Sequence, residues 1–371
     1  MTLFTLVFFL FVGVVLIQVA FSSFVFGKFA FLKPKVLPKV MDVPVSVIIC
    51  AKNEAINLNR FLPYIIEQDY KVFQVVLIND GSSDKTLKVM KRFEKQYSHV
   101  KVVNVKPVET FWGNKKYPLT LGIKAASYEH LLFTDADCKP ISKQWISHMM
   151  ANFNNEKTIV LGYGAYAKIN RSLLNKIIRF ETLTTAISYF SFANLGIPYM
   201  GVGRNLAYTK SQFFKVNGFM GHMNVLSGDD DLFVNKAATK TNTAFCFSAE
   251  SFTVSQPKLT FKDWLIQKRR HITTAKHYKT IHKFLLALLY LTHLLFWVLS
   301  ITLLYNWYWS GLTAILITLR LATLYTTYAY SIKKLGEKDL LWGVPLLEFF
   351  LIFFQLVIFI LNKISKPNHW K

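Results

Sequence analysis

The segment HLLFTDADCKP, residues 130–140, ends an apolar run with two carboxylates, Asp135 and Asp137, separated by one alanine. Side chains two apart on an extended chain share a face, so both acids can point into one cleft. Glu54 follows the apolar run PVSVIICAKN, and Asp80 follows FQVVLIN, in the same manner. Downstream, SGDDDLF supplies Asp229, Asp230 and Asp231 just before a helical pattern of Leu232, Phe233 and Ala237. Carboxylates gathered in one place raise one another's pKa unless a cation joins them. The set makes sense if something positive joins them. A carboxylate outside the metal set is available as a general base. A lone D-x-D also occurs in surface turns, and a single Asp before a helix is an ordinary cap; neither accounts for the whole set.

The elements that must hold these acids alternate in type. Apolar, β-branched runs begin at residues 44, 73, 100 and 130. Between them lie helical patterns: Leu58, Phe61, Leu62 and Ile65, then Leu87, Met90 and Phe93, then residues 119–126. This alternation predicts an α/β fold with a mostly parallel central sheet. Its ligand site belongs beyond the carboxyl ends of the strands.

The chain's two ends are too apolar for one soluble domain. Residues 1–26 carry no charge, and stretches near 284–305, 309–330 and 341–361 approach the length of a membrane-spanning helix. The expected division is an anchor over 1–27, a domain over 44–280, and about three transmembrane or interfacial segments over 284–362. MTLFTL lacks the basic start of a cleaved signal peptide. Lys28, Lys33, Lys35 and Lys39, then Lys276, Lys279 and Lys283, then Lys333, Lys334 and Lys338 flank the spans and assign the domain to the cytoplasm. A full fourth crossing would carry Lys363, Lys366 and Lys371 outward, so the last segment, which contains Pro345 and Glu348, is expected to be re-entrant or interfacial. Arg320 and Glu348, charged residues within spans, predict a structural ion pair.

The net charge of +23 comes from lysines that crowd the span ends, which points to an anionic lipid surface and away from nucleic acid. Cys50, Cys138 and Cys246 are too widely spaced for a CxxC or zinc pattern and read as reduced thiols.

Over residues 45–278 the chain resembles the membrane-bound family 2 glycosyltransferases, inverting enzymes of the GT-A fold in the superfamily of cellulose and hyaluronan synthases. VSVIICAKNE, NDGSSDKT, NKKYPLTLGIKAA, FTDADC, GVGRNLAYTKSQFFKVNGF, SGDDDLF and QKRRH carry the resemblance, in that order. It implies a nucleotide-sugar donor, with a UDP-sugar as first choice. Ala51 and Glu54 would lie near base and ribose, Asp80 would hold the nucleotide, and Lys115 would approach base or phosphates. Asn114 stands where the family often has Gly, which leaves Lys115 and Lys116 as alternatives. Asp137 would ligate magnesium or manganese, and Asp135 would meet ribose or metal. Asp230 is implied as the general base with Asp229 as competitor.

Gln267 and Arg270 match the Q-x-x-R-W motif, with His271 in place of Trp, and Arg269 or Arg270 would reach the diphosphate. Trp264, Leu265 and Ile272 predict a helix lying on the membrane surface, as does RSLLNKIIRFETLTTAI at 171–187. Arg204 and Asn205 resemble the segment under the acceptor. The implied reaction moves a sugar to a membrane-associated acceptor, lipid-linked or saccharide, with a β-linked product, at a bacterial inner membrane. Alternatives are a processive synthase that translocates its polymer, and a membrane scaffold without turnover. The oligomeric state stays open.

Overall fold

A computed structural model describes residues 2–33, 43–106, 115–225 and 227–365. Lys35, Lys39, Asn114, Lys366 and Lys371 lie outside the described residues.

The strands are β1 (Val45–Ala51), β2 (Phe73–Asp80), β3 (Val100–Val105), β4 (His130–Phe133), β5 (Cys138–Pro140), β6 (Ile159–Leu161), β7 (Gly164–Tyr166), β8 (Leu206–Thr209), β9 (Thr243–Phe245) and β10 (Thr253–Ser255). One sheet has the order β3-β2-β1-β4-β8-β6-β9 and a smaller one β5-β10-β7. In the larger sheet β1 runs parallel to β2 and β4, β2 to β3, and β6 to β9, while β8 is antiparallel to β4 and β6. Ala51 pairs with Asn79 and Ile48 with Phe133, so β1, β2 and β4 release the chain along one rim. Lys52 to Glu54, Asp80, and Thr134 to Asp137 all begin there.

Period-two alternation divides each central strand between two cores. Val45, Val47, Ile49, Val75 and Leu77 pack with Leu58, Leu62 and Met90 from the helices Ala55–Ile66 and Thr86–Gln96. Ile48, Val76 and Ile78 pack on the opposite face with Leu119 and Ile123, in a core that continues into Tyr328, Leu347 and Leu351 of the apolar helices. Both faces are covered, which is why these strands read as unbroken apolar runs.

Among the described residues, four helices are long and apolar enough to cross a membrane: Leu3–Ala30, Thr280–Tyr305, Ser310–Leu335 and Lys338–Ile364. In the last of these, Pro345 falls in the first turn of the α-helical part Val344–Ile364, where its missing N–H costs nothing. Both ends of this segment are tied to the globular domain. Asp339 meets Lys168 at 2.8 Å and Arg179 at 2.6 Å, while Asn362 and Ser365 accept from Arg269 at 2.9 and 2.8 Å.

The expected ion pair is part of a larger network. Arg320 donates to Glu348 at 2.7 and 2.6 Å and to Gln18 at 3.2 and 2.9 Å. Gln18 donates to Thr292 at 2.8 Å, and His293 lies 3.2 Å from Glu348. All four apolar helices thus contribute a polar group.

The helix Leu173–Asn194 corrects the surface placement expected for residues 171–187. It is wedged between sheet and bundle, with Phe190 on Phe29 and Phe180 near Tyr328. Its supposed polar face fails at Arg179, which is 2% exposed and paired with Glu337 and Asp339.

Candidate active site

The rim turns after β1 and β2 clasp each other. Asn53 adopts φ 56° and Gly81 φ 56°, reversing the chain tightly enough for Asn53 N to donate to Ser82 Oγ at 3.0 Å and Ser83 N to Asn53 Oδ1 at 2.9 Å. Asp84 accepts from Thr86 N at 2.9 Å and Ala55 N at 3.3 Å, so it caps the starts of two helices. What desolvation there is opposes its charge, but the hydrogen bonds from Thr86 and Ala55 prevail and lower its pKa. Asp84→Ala should therefore cost about 1 kcal/mol at neutral pH. With the folded pKa depressed, that contribution is present above the unfolded carboxylate value and disappears as pH falls through the folded one. Urea unfolding at two pH values checks this.

A cavity of about 910 Å³ opens over the rim, lined by Lys52, Glu54, Lys115, Asp135, Asp137, Arg204, Asp229, Asp230, Gln267 and Arg270 among others. Two residues expected in it are not on its wall. Ala51 is 1% exposed, its methyl packed in the core with Val47 and Ile49, because the alternation of β1 turns it away. Asp80 sits half-buried at the end of β2; burial raises its pKa, and Lys52 and Lys115, which do line the cavity, pull it back.

Asp135, Asp137 and Cys138 each bring a ligand atom within 4.8 Å of the others. Lys115 Nζ donates to Asp135 at 2.6 Å and lies 3.4 Å from Asp229. Burial works against the Asp135 carboxylate, yet Lys115 holds its pKa below the usual range. At Asp137 burial and the charge of Asp135 together raise the pKa, the condition a divalent cation would relieve. Burial also pushes the Cys138 thiol well up, so it stays protonated, and the donors left are hard carboxylate oxygens of the kind magnesium and manganese take. The residues present therefore fit such an ion.

The three consecutive acids separate completely. Asp229 faces Lys115. Asp230 caps the helix Asp231–Ala237, accepting from Asp231 N at 2.8 Å and from Gly203 N at 2.7 Å. A Cβ at Gly203 would lie 3.3 Å from the Asp230 carboxylate oxygen, so only glycine allows this approach without displacement. Burial, then Asp229 and Asp231, push the Asp230 pKa up to about 7. Asp231 turns inward and accepts from Thr274 Oγ1 at 2.5 Å and Tyr278 OH at 2.7 Å.

Residues 46–226 match the model of glycosyl transferase family 2. The chain carries a family 2 glycosyltransferase domain. Among curated proteins it is similar to the probable glycosyltransferase YdaM of Bacillus subtilis, 27% identical over 155 residues, 40% of this chain and 36% of that protein. It is also similar to the cholesterol galactosyltransferase of Borreliella burgdorferi, 30% identical over 93 residues, 25% of each chain. The matches span about a third or less of these relatives. Among solved structures, a mannosyltransferase from Pyrobaculum calidifontis in complex with GDP-Man and Mn2+ shares the fold, with TM-score 0.58 at 18% identity over 93% of this chain and 97% of that one.

Within the glycosyltransferase domain the two lysines after Asn114 part ways. Lys115 faces the carboxylates, whereas Lys116 is 1% exposed and donates to the carbonyls of Val225 at 2.5 Å and Ser227 at 2.6 Å, pinning the loop that leads to Asp229. Of the adjacent arginines, Arg270 lines the cavity and Arg269 turns away from it to the end of the last apolar helix. Trp264 is fully buried and stacks on Phe354 at 4.3 Å, so the helix Phe261–Ile272 docks on that same helix through the residue expected to face the bilayer. Arg204 lies 4.2 Å over the Tyr166 ring and on the cavity wall, while Asn205 is buried, donating to Tyr163 O and Ser251 O. Lys52 and Cys138 were not foreseen. Lys52 was legible as the basic residue between β1 and Glu54; Cys138 gave no local signal beyond adjacency to Asp137.

Proposed function

We propose that the protein is a metal-dependent, inverting glycosyltransferase that moves a sugar from a nucleotide-sugar, with a UDP-sugar as first choice, to a membrane-associated lipid-linked or saccharide acceptor. One observation carries this reading: a single cavity holds a D-x-D pair fit for a hard cation, a lysine between Asp135 and Asp229, and a fourth carboxylate, Asp230, whose pKa burial and its acidic neighbours push up to about 7.

Asp137 and Asp135 would hold the ion, which when bound neutralises charge on the leaving diphosphate. Lys115, Arg204 and Arg270 supply further positive charge to that end of the cavity. Asp230, fixed by two backbone N–H groups, takes the proton from the attacking hydroxyl. Attack on the face opposite the leaving group inverts the anomeric centre and makes a β-linkage from an α-linked donor.

The placement we favour has the domain in the cytoplasm at a bacterial inner membrane, in keeping with Lys28, Lys33, Lys279, Lys283, Lys333 and Lys334 at the domain-side ends of the first three spans. The anchoring of Asp339 and of Asn362 and Ser365 to the same domain supports a re-entrant or interfacial last segment, which keeps Lys363 on the basic side.

The test is thermal shift of the full chain in detergent across a nucleotide-sugar panel with and without Mn2+. Saturation at 100 times Kd stabilises by about 2.7 kcal/mol. A metal-dependent rise in Tm is expected for the native chain and its loss in Asp137→Ala; a rise that survives the substitution removes Asp137 from the metal set.

A further inference from the structure

The same cavity that holds Asp230 is walled on its far side by Leu286 of the helix Thr280–Tyr305 and by Leu351, Phe354 and Ile358 of the helix Val344–Ile364. Leu351, Phe354 and Ile358 recur at three- and four-residue spacing, so they form one stripe on one face. Gln355 is the one polar residue these two helices give to that wall among the described residues. A sugar chain passing here would leave its hydroxyls facing hydrocarbon without partners. A methylene chain would meet matching surface, and both wall helices are apolar enough to sit in a bilayer from which such a chain comes.

The headgroup is constrained from the carboxylate end. Asp230 is held by Gly203 N and Asp231 N as a proton acceptor, with Asp229 and Asp231 beside it. A base has work to do on a hydroxyl and none on a phosphate oxygen, which is already ionised at neutral pH.

Resting on the glycosyltransferase reading above, we propose that the acceptor is a lipid with an uncharged hydroxyl headgroup, its hydrocarbon chain lying between the helices Thr280–Tyr305 and Val344–Ile364 and its hydroxyl at Asp230. The last segment is then a wall of the acceptor site, and its two ties to the domain hold that wall at a set distance from the base.

The experiment uses the purified full chain with Mn2+, a panel of UDP-glucose, UDP-galactose, UDP-N-acetylglucosamine and GDP-mannose, and n-alkyl β-glucosides of increasing chain length below their micellar concentrations. Donor cleavage and sugar transfer are read in the same sample. Transfer efficiency should climb by up to about four-fold for each methylene that enters the groove and then level off. Leu351→Trp, which fills the groove, should flatten that climb and lower transfer relative to donor cleavage. An n-alkyl phosphate of the same length should not be glycosylated.

Equal use of methyl and long-chain glucosides by the native chain, preference for the alkyl phosphate, or a climb unchanged in Leu351→Trp would each overturn the proposal. Should Leu351→Trp fail to fold, the chain-length series on the native protein decides alone. Donor cleavage with transfer to none of these amphiphiles also rejects it. Absence of donor cleavage and of metal-dependent donor binding would instead remove the glycosyltransferase reading beneath it.

Discussion

Asp230→Asn is expected to lower kcat by about 10²–10⁴-fold, the usual worth of a positioned general base, while donor binding changes little. Asparagine keeps one oxygen for Gly203 N or Asp231 N and gives up the other hydrogen bond, so the loop is loosened by one contact while the larger loss falls on proton transfer. Asp229→Asn should behave differently, since Asp229 lies 3.4 Å from Lys115 and the loss of its charge leaves that ammonium paired with Asp135 alone. Isothermal titration of donor beside steady-state kinetics separates the two variants; weakened donor binding in Asp230→Asn equal to its loss of turnover would show that the assigned role is wrong.

The same carboxylate sets a pH profile. Its pKa is raised to about 7 by burial and by Asp229 and Asp231. A base works deprotonated, so kcat should rise with pH through about 7 and level off above, and Asp230→Asn should lose that limb. The stability consequence has the opposite sign. A carboxyl whose folded pKa lies above its unfolded value holds its proton more tightly when folded, so stability is lost as pH rises from the unfolded value to the folded one. Asp230→Asn should therefore gain Tm relative to the native chain above pH 7, a site kept at some expense to the fold.

Glu348→Leu is expected to destabilise the bundle by about 3–5 kcal/mol, because it leaves Arg320 charged, 1% exposed and, among the described residues, with Gln18 and the Phe296 ring as its side-chain partners. Removing both charges, as Arg320→Met with Glu348→Leu, should recover most of that loss, since paired burial roughly offsets its own desolvation. Thermal unfolding of the four variants in detergent gives the coupling directly. A double variant as unstable as Glu348→Leu would mean that the network contributes through Gln18 and His293 more than through the ion pair.

Much of the fold was written locally. The β-branched runs predict buried parallel strands because a strand covered on both faces has no polar side to show, and Val45–Ala51 and Phe73–Asp80 are such strands. Acids just past those runs are bound to gather on one rim, since parallel strands end together. The motif series from VSVIICAKNE to QKRRH resembles family 2 in its residues and their order. The failures were of another kind. Residues 171–187 look amphipathic, but Arg179 is buried against Glu337 and Asp339, acids more than 150 positions away that no periodicity can reveal. Trp264 reads as a membrane-surface residue until Phe354 supplies a stacking partner.

The site divides in the same way. Sequence alone determined that Glu54, Asp80, Asp135 and Asp137 gather at the sheet's carboxyl rim, because strand direction and side-chain alternation follow from residue pattern. It could not assign Asp229, Asp230 and Asp231, or Lys115 and Lys116, because neighbours outside regular structure point wherever remote partners draw them. Thr274 and Tyr278 turn Asp231 inward, Gly203 N fixes Asp230, and the carbonyls of Val225 and Ser227 claim Lys116. Tertiary structure made those choices, since each depends on a hydrogen bond between segments that only packing brings together.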